Sequence, residues 1–325
     1  MIDFMKDYRM TINGRLESSK KTFSAYNPAT KAAIAHVPDA TKAQLDVAVS
    51  AARLAQIKWR ETPLAERQAA LDRIGQAIES HAEELMSLLT IEQGKPHAGA
   101  EWEILGSAIW CREIAKQSLK EEVIIDDASR YVVTRRTPLG VVGAIVPWNF
   151  PVLLAIWKIA PALVTGNTII VKPSPFTPLC TLKLGELSRD ILPPGVLNIV
   201  SGGDDLGQWM TAHVGIDKIA FTGHTETGKS VMRSAAGNLK RLTLELGGND
   251  PAIVLPDVDA KSIAPELFWA AFQNNAQFCN ATKRLYVHEA IYDAVLKELV
   301  DYTKTVKVGD GADSDTQIGP IQNEP

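Results

Sequence analysis

Cysteine is the residue type in this chain with the most direct chemical potential, because its thiolate is a strong nucleophile. The 325 residues contain three cysteines, Cys111, Cys180 and Cys279. They are far apart and none lies in a C-x-x-C spacing, so the sequence suggests neither a disulfide framework nor a metal site. An isolated cysteine is more often a small buried apolar residue than a nucleophile. The segments around each cysteine therefore have to indicate its function.

A second segment, Gly223–Ser230, has a spacing that suits phosphate binding. Its sequence GHTETGKS fits the P-loop pattern G-x-x-x-x-G-K-[ST], in which backbone amides and the lysine hold nucleotide phosphates. Ala252–Asp257 is then a candidate for the second, Mg²⁺-binding strand of a triphosphatase. A strand-loop-helix site suits the pyrophosphate of a dinucleotide equally well. The pattern predicts a phosphate site and leaves both chemistries open.

Short β-branched runs that alternate with helical segments would position these residues. The runs are Val141–Val146, Asn167–Lys172, Val196–Val200 and Asp217–Phe221. This alternation predicts an α/β fold with a doubly wound, Rossmann-like parallel sheet. Such sheets bind ligands at the carboxyl ends of their strands. The expected binding residues therefore follow the runs, at Pro147–Asn149, Lys172–Pro175, Ser201–Gly203 and Thr222–Gly228.

The N-terminal third is predicted to be mainly helical. Apolar residues recur at near-helical spacing from about Thr41 to Trp59. They do so again from Thr62, a candidate N-cap before Pro63, up to Gly94 and Pro96. The β-rich, charged residues 121–137 are predicted to leave the body of the protein as an arm or hairpin.

Composition and charge exclude several classes of function. The net charge is −4, which lacks the basic excess that a nucleic-acid partner requires. Charged residues interrupt the first ten positions, so no secretory signal is predicted. The longest apolar stretch, Val152–Val164, is broken by Lys158 and Pro161 and is too short to cross a bilayer. We expect a cytoplasmic protein with neither a nucleic-acid nor a membrane partner.

Five separated motifs are informative only when they are taken together. They are Pro147–Pro151 (PWNFP), Lys172–Ser174 (KPS), Phe221–Gly223 (FTG), Leu244–Pro251 (LELGGNDP) and Phe272–Cys279 (FQNNAQFC). In this order the chain resembles the NAD(P)-dependent aldehyde dehydrogenase superfamily over essentially its whole length. The resemblance implies an oxidoreductase that converts a small aldehyde to a carboxylic acid.

The resemblance also implies three catalytic roles that this chemistry needs. An aldehyde yields a hydride only after a nucleophile has added to its carbonyl carbon, and Cys279 matches that nucleophile. The side-chain amide of Asn149 and the backbone N–H of Cys279 would stabilise the oxyanion of the adduct. Glu245 matches the general base that activates water to hydrolyse the thioester. Cys111 and Cys180 lie outside every motif and are interpreted as structural.

Further positions are implied to bind the cofactor, NAD or NADP with NAD slightly favoured. They are Pro147, Trp148, Lys172, Ser174, Pro175, Gly203, Gly223, His224, Gly228 and Leu246. Three residues depart from the usual family pattern. His224 replaces a serine and is expected to crowd the nicotinamide end. Ala276 replaces a glycine and would be strained if its φ is positive, and Pro175 replaces a ribose-binding glutamate of many NAD-using members.

The chain ends at Pro325, before the family's Glu-x-Phe-Gly-Pro motif, and is therefore expected to be C-terminally truncated relative to the family. The resemblance also implies a homodimer or homotetramer.

Three alternative functions remain: a P-loop triphosphatase using Gly223–Ser230, an inactive nucleotide-binding remnant, and a cysteine hydrolase that pairs Cys279 with a histidine. The predicted division is a cofactor domain of residues 1–120 and 138–249, an oligomerisation arm of 121–137 and a partial catalytic α/β domain of 250–325.

Overall fold

The computed structural model describes residues 2–324, which form ten α-helices and thirteen β-strands. The strands are β1 (Met10–Ile12), β2 (Arg15–Glu17), β3 (Thr22–Tyr26), β4 (Ala33–Pro38), β5 (Glu122–Asp126), β6 (Tyr131–Thr134), β7 (Val141–Ile145), β8 (Thr168–Lys172), β9 (Leu197–Ile199), β10 (Lys218–Thr222), β11 (Arg241–Glu245), β12 (Asp250–Val254) and β13 (Thr282–Val287). The helices are α1 (Lys42–Trp59), α2 (Leu64–Ser80), α3 (Ala82–Gln93), α4 (His97–Ala115), α5 (Pro151–Val164), α6 (Leu179–Ser188), α7 (Asp204–Ala212), α8 (Thr225–Ala235), α9 (Ala260–Phe272) and α10 (Tyr292–Thr303).

Seven of the strands form one sheet in the order β11-β10-β7-β8-β9-β1-β2. The five strands from β11 to β9 are parallel, whereas β1 and β2 run antiparallel to their neighbours. In chain order the parallel strands are arranged 3-2-1-4-5, so the direction of winding reverses between β7 and β10. Such a switch point opens a ligand crevice at the carboxyl ends of the strands. The prediction of a doubly wound α/β sheet is confirmed.

The four strands predicted from apolar runs are present, each within one residue of its expected bounds at either end. Every residue of β8 and all of β7 except Ile145 are buried, since helices cover both faces of the sheet. This two-sided burial is why these strands are continuous apolar runs in the sequence.

The helical prediction for the N-terminal third was correct in part. Helix α1 begins at Thr41, whose side chain forms a capping box with Gln44. The expected N-cap at Thr62 was wrong, because its hydroxyl donates to the carbonyl of Lys58 and the helix begins after Pro63. The following helical stretch is also divided, since the backbone of His81 (φ −122°, ψ 27°) leaves the helical region between α2 and α3.

Residues 2–40 are not helical, and the expectation of a mainly helical N-terminal third fails there. They contain the antiparallel pairs β1–β2 and β3–β4. Asn13 and Gly14 join β1 to β2 with positive φ angles of 51° and 71°, as in a two-residue hairpin turn. An Asn-Gly pair of this kind is a sequence signal for a hairpin, and β1 then extends the main sheet beside β9.

Two further pairs of strands lie outside the main sheet. Strands β5 and β6 form an antiparallel hairpin with mostly exposed side chains, as predicted for residues 121–137. Strands β12 and β13 are parallel and pair only with each other among the described residues. Between residues 2 and 324, no helix is both long and apolar enough to span a membrane.

Candidate functional site

The carboxyl ends of the five parallel strands bring together the residues predicted to bind a cofactor. Pro147 and Trp148 follow β7, and Lys172, at the end of β8, precedes Ser174 and Pro175. Gly203, Gly223, His224, Gly228 and Leu246 follow strands β9, β10 and β11 along the same edge. The Thr177 hydroxyl donates to the carbonyl of Trp148 at 3.3 Å and so joins the loops after β7 and β8.

Lys172 provides a buried cation at this edge. Only 4% of the residue is exposed, and the single hydrogen bond of its ammonium group within residues 2–324 runs from Nζ to the carbonyl of Pro173 at 3.4 Å. Burial lowers the pKa of the Lys172 ammonium to about 8, while the carboxylates of Asp204 and Asp39 oppose that shift. A buried amine with so weak a partner fits a ligand that supplies hydroxyl or phosphate oxygens.

The loop after β10 is much shorter than its glycine pattern suggested. Strand β10 ends at Thr222, and α8 begins at Thr225 with His224 as its N-cap. The His224 side chain is exposed and its Nδ1 accepts from the Glu226 amide at 3.3 Å. Gly228 lies within α8 against Leu246, because a Cβ at Gly228 would lie 2.6 Å from the Leu246 Cδ2 atom.

This geometry contradicts the P-loop interpretation. Helix α8 already begins at Thr225, the third residue of the pattern, so only Gly223 and His224 separate it from β10 and no extended loop remains whose amides would surround a triphosphate. The ammonium of Lys229 pairs with Glu226 on the helix surface at 2.7 Å. The candidate Mg²⁺-binding strand is β12, and it is not a neighbour of β10.

Asn149 lies in the turn between β7 and α5, at the switch point. Its Nδ2 donates to the carbonyl of Gln277 at 2.8 Å, which brings the turn against the segment before Cys279. Its second side-chain N–H has no acceptor within residues 2–324. The backbone carbonyl of Asn149 accepts from the side chains of Lys95 and Asn274, at 2.9 and 3.0 Å.

Cys279 is the one exposed cysteine in the part of the chain that the structure describes. Its carbonyl accepts from the Gly248 amide at 3.0 Å, whereas its own backbone N–H has no acceptor within residues 2–324. Burial raises the pKa of the Cys111 thiol to about 12, and it also raises that of Cys180. A buried thiol with a raised pKa is chemically inert, so only Cys279 is placed to react.

The loop that leads to Cys279 has an unusual backbone. Asn274, Asn275 and Ala276 have φ angles of 48°, 59° and 59°, in the left-handed region. Asparagine tolerates this region, but it is sterically unfavourable for alanine. The condition under which Ala276 was expected to be strained is therefore met.

Glu245 is the last residue of β11 and is exposed. Its carbonyl accepts from the Gly223 amide at 3.0 Å, so its backbone is fixed against the loop after β10. Three residues later, Gly248 contacts the carbonyl of Cys279. The segment from Glu245 to Gly248 thus connects the sheet edge to the cysteine loop.

Sequence reasoning missed one residue of this site, Lys158 on α5. Its Nζ donates to the Thr222 hydroxyl at 2.7 Å, at the end of β10. Burial lowers the pKa of the Lys158 ammonium to about 8, while the nearby Glu245 carboxylate opposes the shift. A single charge within the apolar helix Pro151–Val164 was the available signal, because an unneeded charge is seldom buried there.

The chain is similar to known proteins both in sequence and in fold. The sequence profile of the Aldehyde dehydrogenase family matches residues 16–325. A probable aldehyde dehydrogenase of a Pseudomonas species is 42% identical over 316 residues, which cover 97% of this chain and 65% of that protein. The chain thus spans slightly less than two thirds of this relative.

Two solved structures superpose closely. An aldehyde dehydrogenase of Bacillus cereus in complex with NAD⁺ has a TM-score of 0.96 and 37% identity, covering 99% of this chain and 67% of that one. An NADP-dependent enzyme of Escherichia coli has a TM-score of 0.95 and 32% identity, covering 97% of this chain and 67% of that one.

Proposed function

The chain belongs to the aldehyde dehydrogenase family, and we propose that it oxidises a small aldehyde to a carboxylic acid with NAD⁺ or NADP⁺. The supporting observation is a pair of amide donors without an acceptor within residues 2–324, on two segments that are in contact: the Asn149 Nδ2 donates to Gln277, two residues before the exposed Cys279. These donors are the second side-chain N–H of Asn149 and the backbone N–H of Cys279. Uncommitted amide donors beside a nucleophile are what a developing oxyanion requires.

The proposed reaction begins when the Cys279 thiolate adds to the aldehyde carbon. The carbonyl oxygen becomes an oxyanion that the Asn149 amide and the Cys279 N–H stabilise, and the loss of such a donor typically reduces the rate by about 10²–10³-fold. The bound cofactor supplies the acceptor for the hydride that leaves this carbon. The carbon then remains attached to Cys279 as a thioester.

Hydrolysis of the thioester would use Glu245 as general base. The carboxylate accepts a proton from water as the water attacks the acyl carbon. The C–S bond then breaks, the acid leaves and the thiolate returns. The exposure of Glu245 at the end of β11 supports this role, because water can reach its carboxylate.

The residues along the sheet edge fit a dinucleotide. Lys172 offers a buried ammonium whose only bond is weak, and would hold the ribose beside Ser174 and Pro175. Pro147, Trp148, Gly203, Gly223, His224, Gly228 and Leu246 would form the rest of the cofactor surface. Because Pro175 carries no carboxylate to repel a 2′-phosphate, we propose that both cofactors are used, with NAD slightly preferred.

We further propose a division of the chain into domains and an interface between subunits. Residues 1–120 and 138–249 would form the cofactor domain, and 250–325 would belong to the catalytic domain. The exposed hairpin of residues 121–137 would mediate a homodimer or homotetramer.

The decisive experiment compares Cys279→Ala with Cys111→Ala. A panel of aldehydes is assayed for NADH and NADPH formation, with ATP hydrolysis measured in parallel. Cys279→Ala should abolish dehydrogenase activity with an unchanged circular dichroism spectrum, whereas Cys111→Ala should remain active. Activity retained in Cys279→Ala contradicts the covalent mechanism.

A second variant separates the base from the nucleophile. Glu245→Gln should still release a burst of about one reduced cofactor per site and then turn over slowly, since only thioester hydrolysis is impaired. An unchanged steady-state rate would remove Glu245 from the mechanism.

A further inference from the structure

A buried ion pair, Lys95 with Glu103, lies directly behind Asn149. Lys95 and Glu103 are 3% and 0% exposed, and their side chains meet at 2.5 Å. Lys95 follows the end of α3, while Glu103 lies on α4. A buried pair of opposite charges is often no more stabilising than apolar residues of the same volume. Stability alone therefore does not explain this pair, and its other contacts indicate what it does.

Lys95 contacts the Asn149 turn with the rest of its ammonium group. Besides Glu103, Nζ donates to the carbonyl of Asn149 at 2.9 Å. It also lies 3.9 Å from the centre of the Phe150 ring, within the range of a cation–π contact. The Lys95 ammonium thus interacts with the Glu103 carboxylate, the Asn149 carbonyl and the Phe150 ring.

Glu103 fixes the other side of the same turn. Its Oε1 accepts from the amides of Val152 and Leu153, at 2.9 and 3.2 Å. These amides belong to the first turn of α5, which has no side-chain cap of its own. A carboxylate at a helix N-terminus satisfies the free amides and interacts favourably with the helix dipole.

Together these contacts restrain Asn149 from both directions along the chain. Lys95 holds its carbonyl, and Glu103 holds the helix that begins two residues later. The Asn149 side chain is then aimed at the cysteine loop, where Nδ2 reaches Gln277. Glu103 also connects Lys95 to α5, so a shift of either charged side chain would move the turn.

We propose that Lys95 and Glu103 are positioning residues for the Asn149 amide. They hold it where it stabilises the oxyanion at Cys279 and do not themselves touch the reacting atoms. This inference rests on the proposed function. Misplacing such a group by about 1 Å is enough to reduce a rate on the order of 10²-fold.

The variant that tests this is Lys95→Met/Glu103→Gln. Methionine approximates the length of lysine, and the glutamine oxygen can still accept from Val152 and Leu153. Both charges are removed together, so no unpaired charge is left in the interior. The Asn149 carbonyl nevertheless loses its Lys95 donor.

Lys183 and Glu186 provide a matched control. Lys183 is 2% exposed, pairs with Glu186 at 3.0 Å and lies 5.1 Å from the centre of the Tyr8 ring. Its Nζ also donates to two backbone carbonyls, those of Lys6 and Asp7, at 2.8 and 3.2 Å. Lys183→Met/Glu186→Gln therefore disturbs a pair whose lysine is equally buried and whose glutamate side chain is 17% exposed, and which makes no contact with Asn149.

Two reactions of Cys279 are compared in each variant. Acetylation by 4-nitrophenyl acetate passes through an oxyanion, whereas alkylation by iodoacetamide does not. Lys95→Met/Glu103→Gln should slow acetylation on the order of 10²-fold and leave alkylation within about twofold of wild type. The Lys183 control should change neither rate.

A double-mutant cycle shows whether the effect acts through Asn149. Adding Asn149→Ala to Lys95→Met/Glu103→Gln should slow acetylation no further than Asn149→Ala alone. Fully additive losses, or acetylation at the wild-type rate in Lys95→Met/Glu103→Gln, would overturn the proposal. If this variant does not fold, Glu103→Asp replaces it, because the shorter side chain keeps the charge but cannot reach all its partners.

An independent readout is the side-chain amide of Asn149 in a ¹H–¹⁵N spectrum, identified by its loss in Asn149→Ala. Its two N–H resonances should shift or broaden in the Lys95 variant and remain unchanged in the Lys183 variant. Unchanged resonances in the Lys95 variant would overturn the positioning role. If wild-type acetylation does not depend on Cys279, the proposed function fails, and these resonances alone decide whether Lys95 and Glu103 fix the amide.

Discussion

The parallel sheet and the segment from residue 250 onward both contribute to the site, but they are packed very differently. Strands β7 and β8 are almost wholly buried, and the main apolar core extends from Phe4 to Val231. In contrast, β12 and β13 expose about half of their side chains. Within the described residues, α9 buries only Ala264 and Phe268, and α10 buries only Val295.

Hydrogen bonds and close backbone packing hold the second region against the first, since Gly311 and Gly319 pack against Gly94. Asn149 donates to Gln277, Gly248 donates to Cys279, and Gln322 donates to the carbonyls of Glu92 and Phe176. Polar contacts are directional, so they fix orientation more than they add stability. The sheet thus provides most of the packing, while a few hydrogen bonds help to set the position of Cys279.

The largest expected effect comes from truncating one side chain in each region. Ile170 on β8 is 0% exposed, whereas Ile253 on β12 is 72% exposed. Ile170→Ala should lower the free energy of unfolding by about 2–5 kcal/mol through a cavity in the core. Ile253→Ala should change it by less than about 0.5 kcal/mol. Urea denaturation followed by tryptophan fluorescence measures both, and equal losses would contradict the contrast between the regions.

The same contrast explains what the sequence could predict. Strands β7, β8, β9 and β10 were found because burial on both faces leaves an uninterrupted apolar run. Strands β1 to β4 were missed because β1 has only three residues and β2 to β4 are partly exposed, so none of them leaves a long apolar run, although Asn13-Gly14 marked one turn.

Within the site, motif resemblance indicated which residues to examine, but it did not reveal how they are held. The contact between Asn149 and Gln277 joins residues 128 positions apart, and the ion pair behind Asn149 brings in Lys95, which is 54 positions away. Spacing along the sequence carries no information about such contacts. The sequence did not predict the short loop after β10, for another reason. The P-loop pattern fixes only four of its eight positions and does not specify where a helix begins, and here α8 begins inside the pattern.

Lys158 tests whether the packed region contains a charge that is unfavourable for folding. Its folded-state pKa of about 8 lies below the ordinary lysine value of 10.5. Between these values the unfolded chain binds more protons, so wild-type stability should rise with pH across that window. Lys158→Met should be about 1–2 kcal/mol more stable than wild type at pH 7, and this gain should disappear above about pH 10.5.

Lys158→Arg is the matched control, because arginine remains charged throughout this range and should give no such gain. The measurement is urea denaturation at several pH values. A constant difference between Lys158→Met and wild type from pH 7 to 11 would show that desolvation of the ammonium is not the cause.

Pro175, at the sheet edge, tests whether one side chain sets the preference between NAD and NADP. A glutamate there would accept hydrogen bonds from the ribose hydroxyls of NAD and repel the 2′-phosphate of NADP. Pro175→Glu should lower kcat/KM for NADP relative to NAD by about tenfold, equivalent to about 1.4 kcal/mol. Pro175→Gln controls for the loss of proline without adding charge. An unchanged NAD to NADP ratio in Pro175→Glu would place the selectivity elsewhere in the pocket.

The smallest expected effect concerns the cysteine loop, in the lightly packed region. Ala276 has a φ of 59°, which is unfavourable for alanine but accessible to glycine. Ala276→Gly should therefore raise the free energy of unfolding by about 0.5 kcal/mol, since relief of strain exceeds the added entropy of the unfolded chain. Ala270→Gly is the control, because Ala270 is exposed in the regular helix α9 and should lose about 1 kcal/mol. Urea denaturation measures both variants. If both lower the free energy of unfolding by a similar amount, the loop does not keep its left-handed backbone. Opposite signs would indicate that the hydrogen bonds to Asn149 hold this loop in a conformation that its own sequence disfavours.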